Sequence, residues 1–303
     1  MNRDQLIGLT LPAVLCTALW GSAAPCVKLG YELFAIGSHD AFSQLVFAGC
    51  RFTLAGLLTL LIAAPLRRGP LLPHRGNIRP ILAIGLFQSI LQYICYYIGL
   101  SRTTGTNAAL LSGTQTFFSI LLAHCFLKED KLNRNKALGC LVGFAGVLVL
   151  NLGGTLGAVS PLGDGLILLS AVSAGMGALV SRVLSPGHDP MILTAWQLIL
   201  GGGTLFALGT LGGGAVTHWT IPGTLLLVYM AALSAAAFTV WTALLKRRTV
   251  SKVAIHGFLI PVFGTLFAAL LLGETLTLRT VAALALVSLG VILANRTPAH
   301  DPS

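Results

Sequence analysis

Leu127-Lys-Glu-Asp-Lys-Leu-Asn-Arg134 and Leu272-Gly-Glu-Thr-Leu-Thr-Leu-Arg279 are two versions of one pattern. In each, a long apolar run precedes a Glu, an Arg follows five residues after it, and a shorter apolar run ends in Asn, at Asn151 and Asn295. Superposing Glu129 on Glu274 sets an offset of 145 residues, and the same offset carries Leu100 onto Leu245, Arg102 onto Arg247 and Tyr96 onto Trp241 without a gap. Further upstream, Trp20 and Lys28 match Ala174 and Arg182, while Gln44-Leu45, Gly49 and Gly56 match Gln197-Leu198, Gly202 and Gly209, now at an offset of 153 or 154. The chain is therefore an internal duplication with one indel, dividing into 1–152 and 153–303.

Hydrophobic residues make up 55% of the chain and charged residues only 9%, and apolar runs of about twenty residues recur from end to end. Each run is long enough to cross a hydrocarbon core of roughly 30 Å as a helix. Ten spans are predicted: Leu6–Val27, Phe42–Ala64, Ile78–Leu100, Thr106–Leu127, Ala137–Leu152, Leu162–Leu184, Met191–Leu211, Pro222–Leu245, Val253–Leu272 and Leu276–Ala294. Connections of ten to fifteen residues at most leave one membrane domain with no soluble appendage. Leu6–Val27 lacks a clear basic leader and is followed by nine further spans, so it is read as the first transmembrane helix rather than a signal peptide. The cysteines Cys16, Cys26, Cys50, Cys95, Cys125 and Cys140 lie in or beside apolar runs without metal or disulfide spacing, as packing residues do.

With a cytoplasmic N-terminus, the inside segments hold fifteen cations: Arg3, Arg67, Arg68, Arg75, Arg79, Lys128, Lys131, Arg134, Lys136, Arg182, Lys246, Arg247, Arg248, Lys252 and Arg296. Only Lys28, Arg102 and Arg279 fall outside, a strong positive-inside bias that puts both termini in the cytoplasm. The formal charge of +10 is thus spread over short loops facing anionic headgroups, and forms no nucleic-acid face. Five spans per repeat is an odd number, so the second half enters the membrane upside down relative to the first. The expected fold is an all-α membrane protein of ten transmembrane helices in two inverted five-helix repeats, the usual design for alternating access.

Several short motifs lie in register with these spans: Leu19-Trp20-Gly21-Ser22 through Lys28, Arg51-Phe52 with Ala55-Gly56, Ala109-Leu110-Leu111 with Thr114, and Leu127 with Glu129. Phe144-Ala145-Gly146-Val147, Pro261-Val262-Phe263, Leu272-Gly273-Glu274 and Gly290-Val291 follow. In order and spacing the chain resembles the EamA type of the drug/metabolite transporter (DMT) superfamily, over essentially its whole length. It departs at Thr116, where the family often has the Pro matched here by Pro261, and at Lys128, where Gly is usual. The resemblance implies a secondary transporter of the bacterial inner membrane, often an exporter of amino acids or other small metabolites. It also implies that helices 5 and 10 are peripheral and that the others enclose a central cavity.

Arg51 lies about nine residues into the second span, roughly 13 Å from its outer boundary, too deep for its side chain to reach the headgroups. A charge there costs at least ~2.5 kcal/mol on insertion scales and has to face protein or a wet cavity. Its repeat counterpart is Thr204, so the inverted scaffold itself needs no Arg. Capping of carbonyls is the structural alternative. In the third span Gln88, Gln92 and Tyr96 recur at i, i+4 and i+8 as one stripe, whose counterparts are Leu233, Ala237 and Trp241. With Trp20, Lys28, Asn107, Thr114, Gln115, Trp196 and Gln197 these form the expected substrate site: aromatic walls, neutral hydrogen-bonding groups and cations, without a carboxylate. Such a site suits an anionic or zwitterionic metabolite with an apolar or aromatic body. The alternatives are a multidrug-type exporter of organic cations and a nonselective facilitator or channel.

Glu129, Glu274, His124 and His256 are candidates for ion coupling, weighed against interfacial ion pairs for the two Glu and packing roles for the two His. No acid lies near the middle of any span, so facilitated or weakly proton-linked movement is expected. The sequence has no Walker motif, paired catalytic acids or metal-spaced His, which argues against an ATP-driven pump and an enzyme. No cofactor or metal is expected. The partners are a small-molecule substrate and the lipid bilayer, and monomer and homodimer stay open.

Overall fold

The computed structural model describes residues 6–66, 70–103, 105–152, 160–273 and 276–296. Nine helices among them are long and apolar enough to cross a membrane. In chain order these are α1 (Leu6–Leu33), α2 (Ala41–Leu66), α3 (Arg75–Leu100), α4 (Asn107–Phe126), α6 (Pro161–Leu184), α7 (Pro190–Leu211), α8 (Ile221–Arg247), α9 (Val250–Leu271) and α10 (Leu278–Asn295). The remaining helix, α5, spans Arg134–Asn151 and is diluted by Arg134 and Lys136 in its first turn. Helix starts follow side-chain chemistry. Ser160, Asp189 and Thr220 each accept a hydrogen bond from a backbone N–H of the first turn, with Pro161, Pro190 and Pro222 just inside. Asn133 caps α5 in the same way through Lys136 N.

The helix contacts obey a two-fold exchange of the halves. α2 packs along α7 and α5 along α10, each pair related to itself. α1 packs on α8 and α9, while its counterpart α6 packs on α3 and α4. Swapping 1–5 with 6–10 therefore maps the set onto itself, as inverted repeats require. The duplicated glycines explain the closeness of the α2–α7 pair. A Cβ on Gly49 would stand 2.5 Å from Phe206 N, and one on Gly202 would stand 2.4 Å from Thr53 N, so only hydrogen fits between the backbones.

Besides the π-turn Leu6–Thr10 that opens α1, three helices are less regular than the sequence suggests. α3 widens into a π-turn over Leu86–Leu91, which carries Gln88. α4 is interrupted at Thr114 between the segments Gly105–Gly113 and Gln115–Phe126. α9 opens with Val250–Ala254, passes through a 3₁₀ turn at Ile255–Phe258 and resumes at Leu259. The offset of 145 maps Thr114 onto Leu259, the residue after the 3₁₀ turn, so the two repeats break within about one turn of the same place although only α9 carries a nearby Pro, Pro261. Thr116 Oγ1 instead donates to Ala254 O, tying the two broken helices together at 3.3 Å.

Candidate functional site

Arg51, ten residues past the start of α2 and thus ~15 Å into the bundle, is only 4% exposed. Its Nε and Nη2 both donate to Ser234 Oγ of α8, at 3.1 and 2.9 Å, and its Cζ stands 5.0 Å from the centroid of the Phe52 ring. Ser234 Oγ in turn donates to Met230 O at 2.8 Å. Three Asp, Glu, Lys or Arg side chains are buried among the described residues: Arg51, Asp130 and Lys136. The last two pair with each other at 2.7 Å, which leaves Arg51 as the buried charge without a counter-ion among those residues.

A continuous run of rings passes through Phe52, the ring beside this guanidinium. Trp241 meets Trp20 at 5.0 Å, Trp20 meets Phe238 at 5.4 Å, and Phe238 meets Phe52 at 6.2 Å. Phe52 meets Tyr93 at 4.5 Å, Tyr93 meets Tyr97 at 6.2 Å, and Tyr97 meets Tyr96 at 5.6 Å. The run joins α8, α1, α2 and α3. Trp20 Nε1 is buried without a hydrogen-bond partner among the described residues, and Tyr31 Oη lies beside Tyr97. Groups of this sort and the remaining guanidinium N–H atoms are donors. They suit a ligand rich in acceptors.

Among the described residues, the helices approach one another more closely at one end of the bundle than at the other. At the end carrying the basic loops, the C-terminal segment of α4 packs on the first turn of α9, and α6 packs on both α8 and that turn. The two-fold relates these pairs to α9 against Gly105–Gly113, α1 against α3, and α1 against Gly105–Gly113. None of these three reaches comparable contact among the described residues. Polar links reinforce the closed end. Arg182 Nη1 donates to Leu245 O and Lys246 O, Lys246 Nζ to His188 O, and His188 Nδ1 meets Asn77 Oδ1.

Of the residues expected in the substrate site, Trp20, Arg51, Tyr96 and Trp241 belong to the ring-lined centre. Gln92 is half-buried on α3, four residues before Tyr96, and makes no hydrogen bond to a described residue. Gln88 and Gln197 lie deeper toward the closed end, where Gln197 Nε2 donates to Gln88 Oε1 at 3.4 Å and Gln197 Oε1 has no partner. Thr114, at the break in α4, turns its hydroxyl back to Leu111 O, and Gln115 beside it is half-buried. The others are placed elsewhere. Trp196 Nε1 donates to Leu71 O, in the connection between α2 and α3. Asn107 binds Asp164, joining the starts of α4 and α6. Lys28 is exposed near the end of α1.

The coupling candidates lie away from Arg51. His124 Nδ1 accepts from Leu132 N and shapes the turn after α4. Glu129 is exposed, 3.9 Å from Arg182. His256 is fully buried in the 3₁₀ turn of α9, with Nδ1 at 3.2 Å from Val253 O and Nε2 without a partner among the described residues. Glu274 lies outside the described residues. Ser234 and Asp130 went unnoticed in the sequence. Ser234 had one signal, since it is the 145-residue counterpart of Ser89 on the stripe-bearing helix α3. A shallow groove of about 500 Å³, lined by Arg75, Ile78, Arg79, Leu82, Ala83 and Leu86, lies on α3 alone, well away from Arg51.

Comparison with known proteins agrees with this architecture. The sequence is 31% identical to the uncharacterized transporter YvbV of Bacillus subtilis over 260 residues, covering 83% of this chain and 82% of YvbV. It is 28% identical to the uncharacterized inner membrane transporter YedA of Escherichia coli K12 over 305 residues, covering 97% and 92% of the two chains. A solved crystal structure superposes with a TM-score of 0.79 at 20% identity, covering 94% of this chain and 96% of that one, which establishes the fold. The EamA-like transporter family matches residues 8–152 and again 161–296, once per half. The chain belongs to the EamA-like transporter family.

Proposed function

We propose that this transporter works by alternating access in the bacterial inner membrane, with both termini cytoplasmic, and exports small metabolites that carry a carboxylate on an apolar or aromatic body. The observation that carries this reading is Arg51, a buried cation without a carboxylate beside it among the described residues, which stands over Phe52 in the run of rings that also holds Trp20, Tyr93, Phe238 and Trp241. A carboxylate accepts a charge-assisted hydrogen bond from such a group, and the rings take up the substrate's body. The positive-inside bias supports a cytoplasmic basic end, so the splayed end would face out. An organic cation would meet an uncompensated guanidinium, which disfavours the multidrug alternative.

Three probes that share the phenylalanine body and differ in the charge of its amino and carboxyl ends test the proposal in proteoliposomes: N-acetylphenylalanine, phenylalanine and protonated phenylalaninamide, which are anionic, zwitterionic and cationic. The expected order of transport is anion or zwitterion well above cation. Gln92→Ala and Tyr96→Ala should raise KM several-fold at equal surface expression. Arg51→Gln should weaken the anion and zwitterion more than a neutral analogue. Unchanged transport in all three variants, or a preference for permanent cations, would overturn the reading.

A further inference from the structure

The net charge of the carrier differs between its loaded and empty states, and that difference constrains the transport cycle. Arg51 is 4% exposed even with one end of the bundle splayed, and its hydrogen bonds go to one neutral hydroxyl, Ser234 Oγ. The carboxylates among the described residues are engaged or placed elsewhere. Asp130 binds Lys136, Glu129 lies near Arg182, Asp164 binds Thr103, Asp40 caps Ser43 N, Asp189 caps Met191 N, and Glu32 is exposed. In the occluded state between the two open forms the guanidinium would have no more access to water than the 4% it has here. A monoanion on Arg51 makes the occluded site neutral. The empty site would carry a full positive charge through the same dry passage, a desolvation that no group among the described residues offsets.

We propose that this protein is an obligatory anion exchanger: it changes sides with a carboxylate on Arg51 and only rarely with the site empty. The inference rests on the carboxylate reading above and adds the coupling. The driving force is then the gradient of a second anion moving the other way. Exchange of two monoanions moves no net charge, so the rate is indifferent to membrane potential. The repeats point the same way. The two-fold sets Thr204 opposite Arg51 and Ser89 opposite Ser234, and Ser89 Oγ is buried without a partner among the described residues. The scaffold therefore accommodates a neutral residue at this position, and the charge belongs to this site's chemistry.

The experiment uses the full-length protein in liposomes loaded with radiolabelled N-acetylphenylalanine. Efflux is measured with the same compound outside, or with Hepes as the sole external anion, and with the potential clamped by potassium and valinomycin. Exchange should exceed net efflux at least tenfold and be the same at zero and at roughly −100 mV. Arg51→Gln should bring the ratio near one, because a neutral empty site returns freely. Arg51→Lys keeps the charge and should keep the ratio even where affinity falls. Equal exchange and net efflux in the wild type, with the anion preference intact, would overturn the exchange mechanism while leaving the substrate reading standing. So would an unchanged ratio in Arg51→Gln. Loss of the preference for N-acetylphenylalanine over phenylalaninamide would overturn both.

Discussion

Asp130 and Glu129 are neighbours in the stretch that reveals the repeat, yet the structure gives them opposite weights. Asp130 is 0% exposed, accepts from Lys136 Nζ at 2.7 Å and, through its other oxygen, from Ser251 N at 2.8 Å. It thereby joins the turn after α4 to the start of α5 and the N-terminus of α9, where an anion is also favoured by the helix dipole. Lys136 is itself buried, so Asp130→Asn strands its ammonium with one carbonyl partner, Lys131 O. Breaking a buried pair from one side costs about 3–5 kcal/mol. Glu129 is half-exposed and 3.9 Å from Arg182, which puts Glu129→Gln at about 0–1 kcal/mol. Scanning fluorimetry in detergent should show Asp130→Asn melting on the order of 10 °C lower and Glu129→Gln within a few degrees of wild type. Asp130→Asn combined with Lys136→Met should recover most of the loss, because no buried charge is then left alone. Equal melting points for the two single variants would refute the assignment, and a double variant worse than Asp130→Asn would refute the pairing.

Two further expectations test the packing and the open end. Gly202→Leu would drive a side chain into Thr53 N and Gly49 O at the α2–α7 crossing, where backbone has to move, and should cost about 1–3 kcal/mol or more, read as a lower melting temperature and less monodisperse protein. Tyr96→Cys, in a background where the exposed Cys125 is replaced by Ala, should react with a membrane-impermeant maleimide from the face opposite the basic loops, and N-acetylphenylalanine should slow that labelling; reaction only from the basic face would overturn the assignment of the open end.

The helices and their inversion were legible because the bilayer leaves little choice. A backbone in hydrocarbon satisfies its hydrogen bonds within a helix, so the length of an apolar run sets the span. The observed helices mostly overrun the expected spans by a few residues. α5 begins at Arg134 rather than Ala137 because Asn133 caps it, and α1 continues to Leu33, taking Lys28 into the helix. The breaks were not legible. The π-turn in α3 and the interruption at Thr114 occur in stretches without Pro, where the local sequence reads as continuous helix. The interruption in α4 lies beside a contact that the local sequence does not show, Thr116 with Ala254, 138 residues apart.

The centre of the site divides along the same line between what one span states and what two spans make together. Depth in the membrane is a property of one span, so the burial of Arg51 could be anticipated from its distance to either end of α2. Its partner could not, because Ser234 lies 183 residues away in an Ala-rich helix where one hydroxyl draws no notice. Periodicity places Gln88, Gln92 and Tyr96 on one face of α3 but says nothing of what faces them, and Gln88 meets Gln197 while Tyr96 joins the rings. Trp196 shows the opposite case. An aromatic with an N–H donor reads as a cavity wall until the loop that supplies its acceptor, Leu71 O, is placed beside it. The repeat supplied what single spans could not, a second copy of the scaffold in which Thr204 replaces Arg51. A charge that one copy carries and the other omits is not required by the packing common to both, which is why Arg51 rather than the duplicated Glu129 is the residue on which substrate choice and exchange should turn.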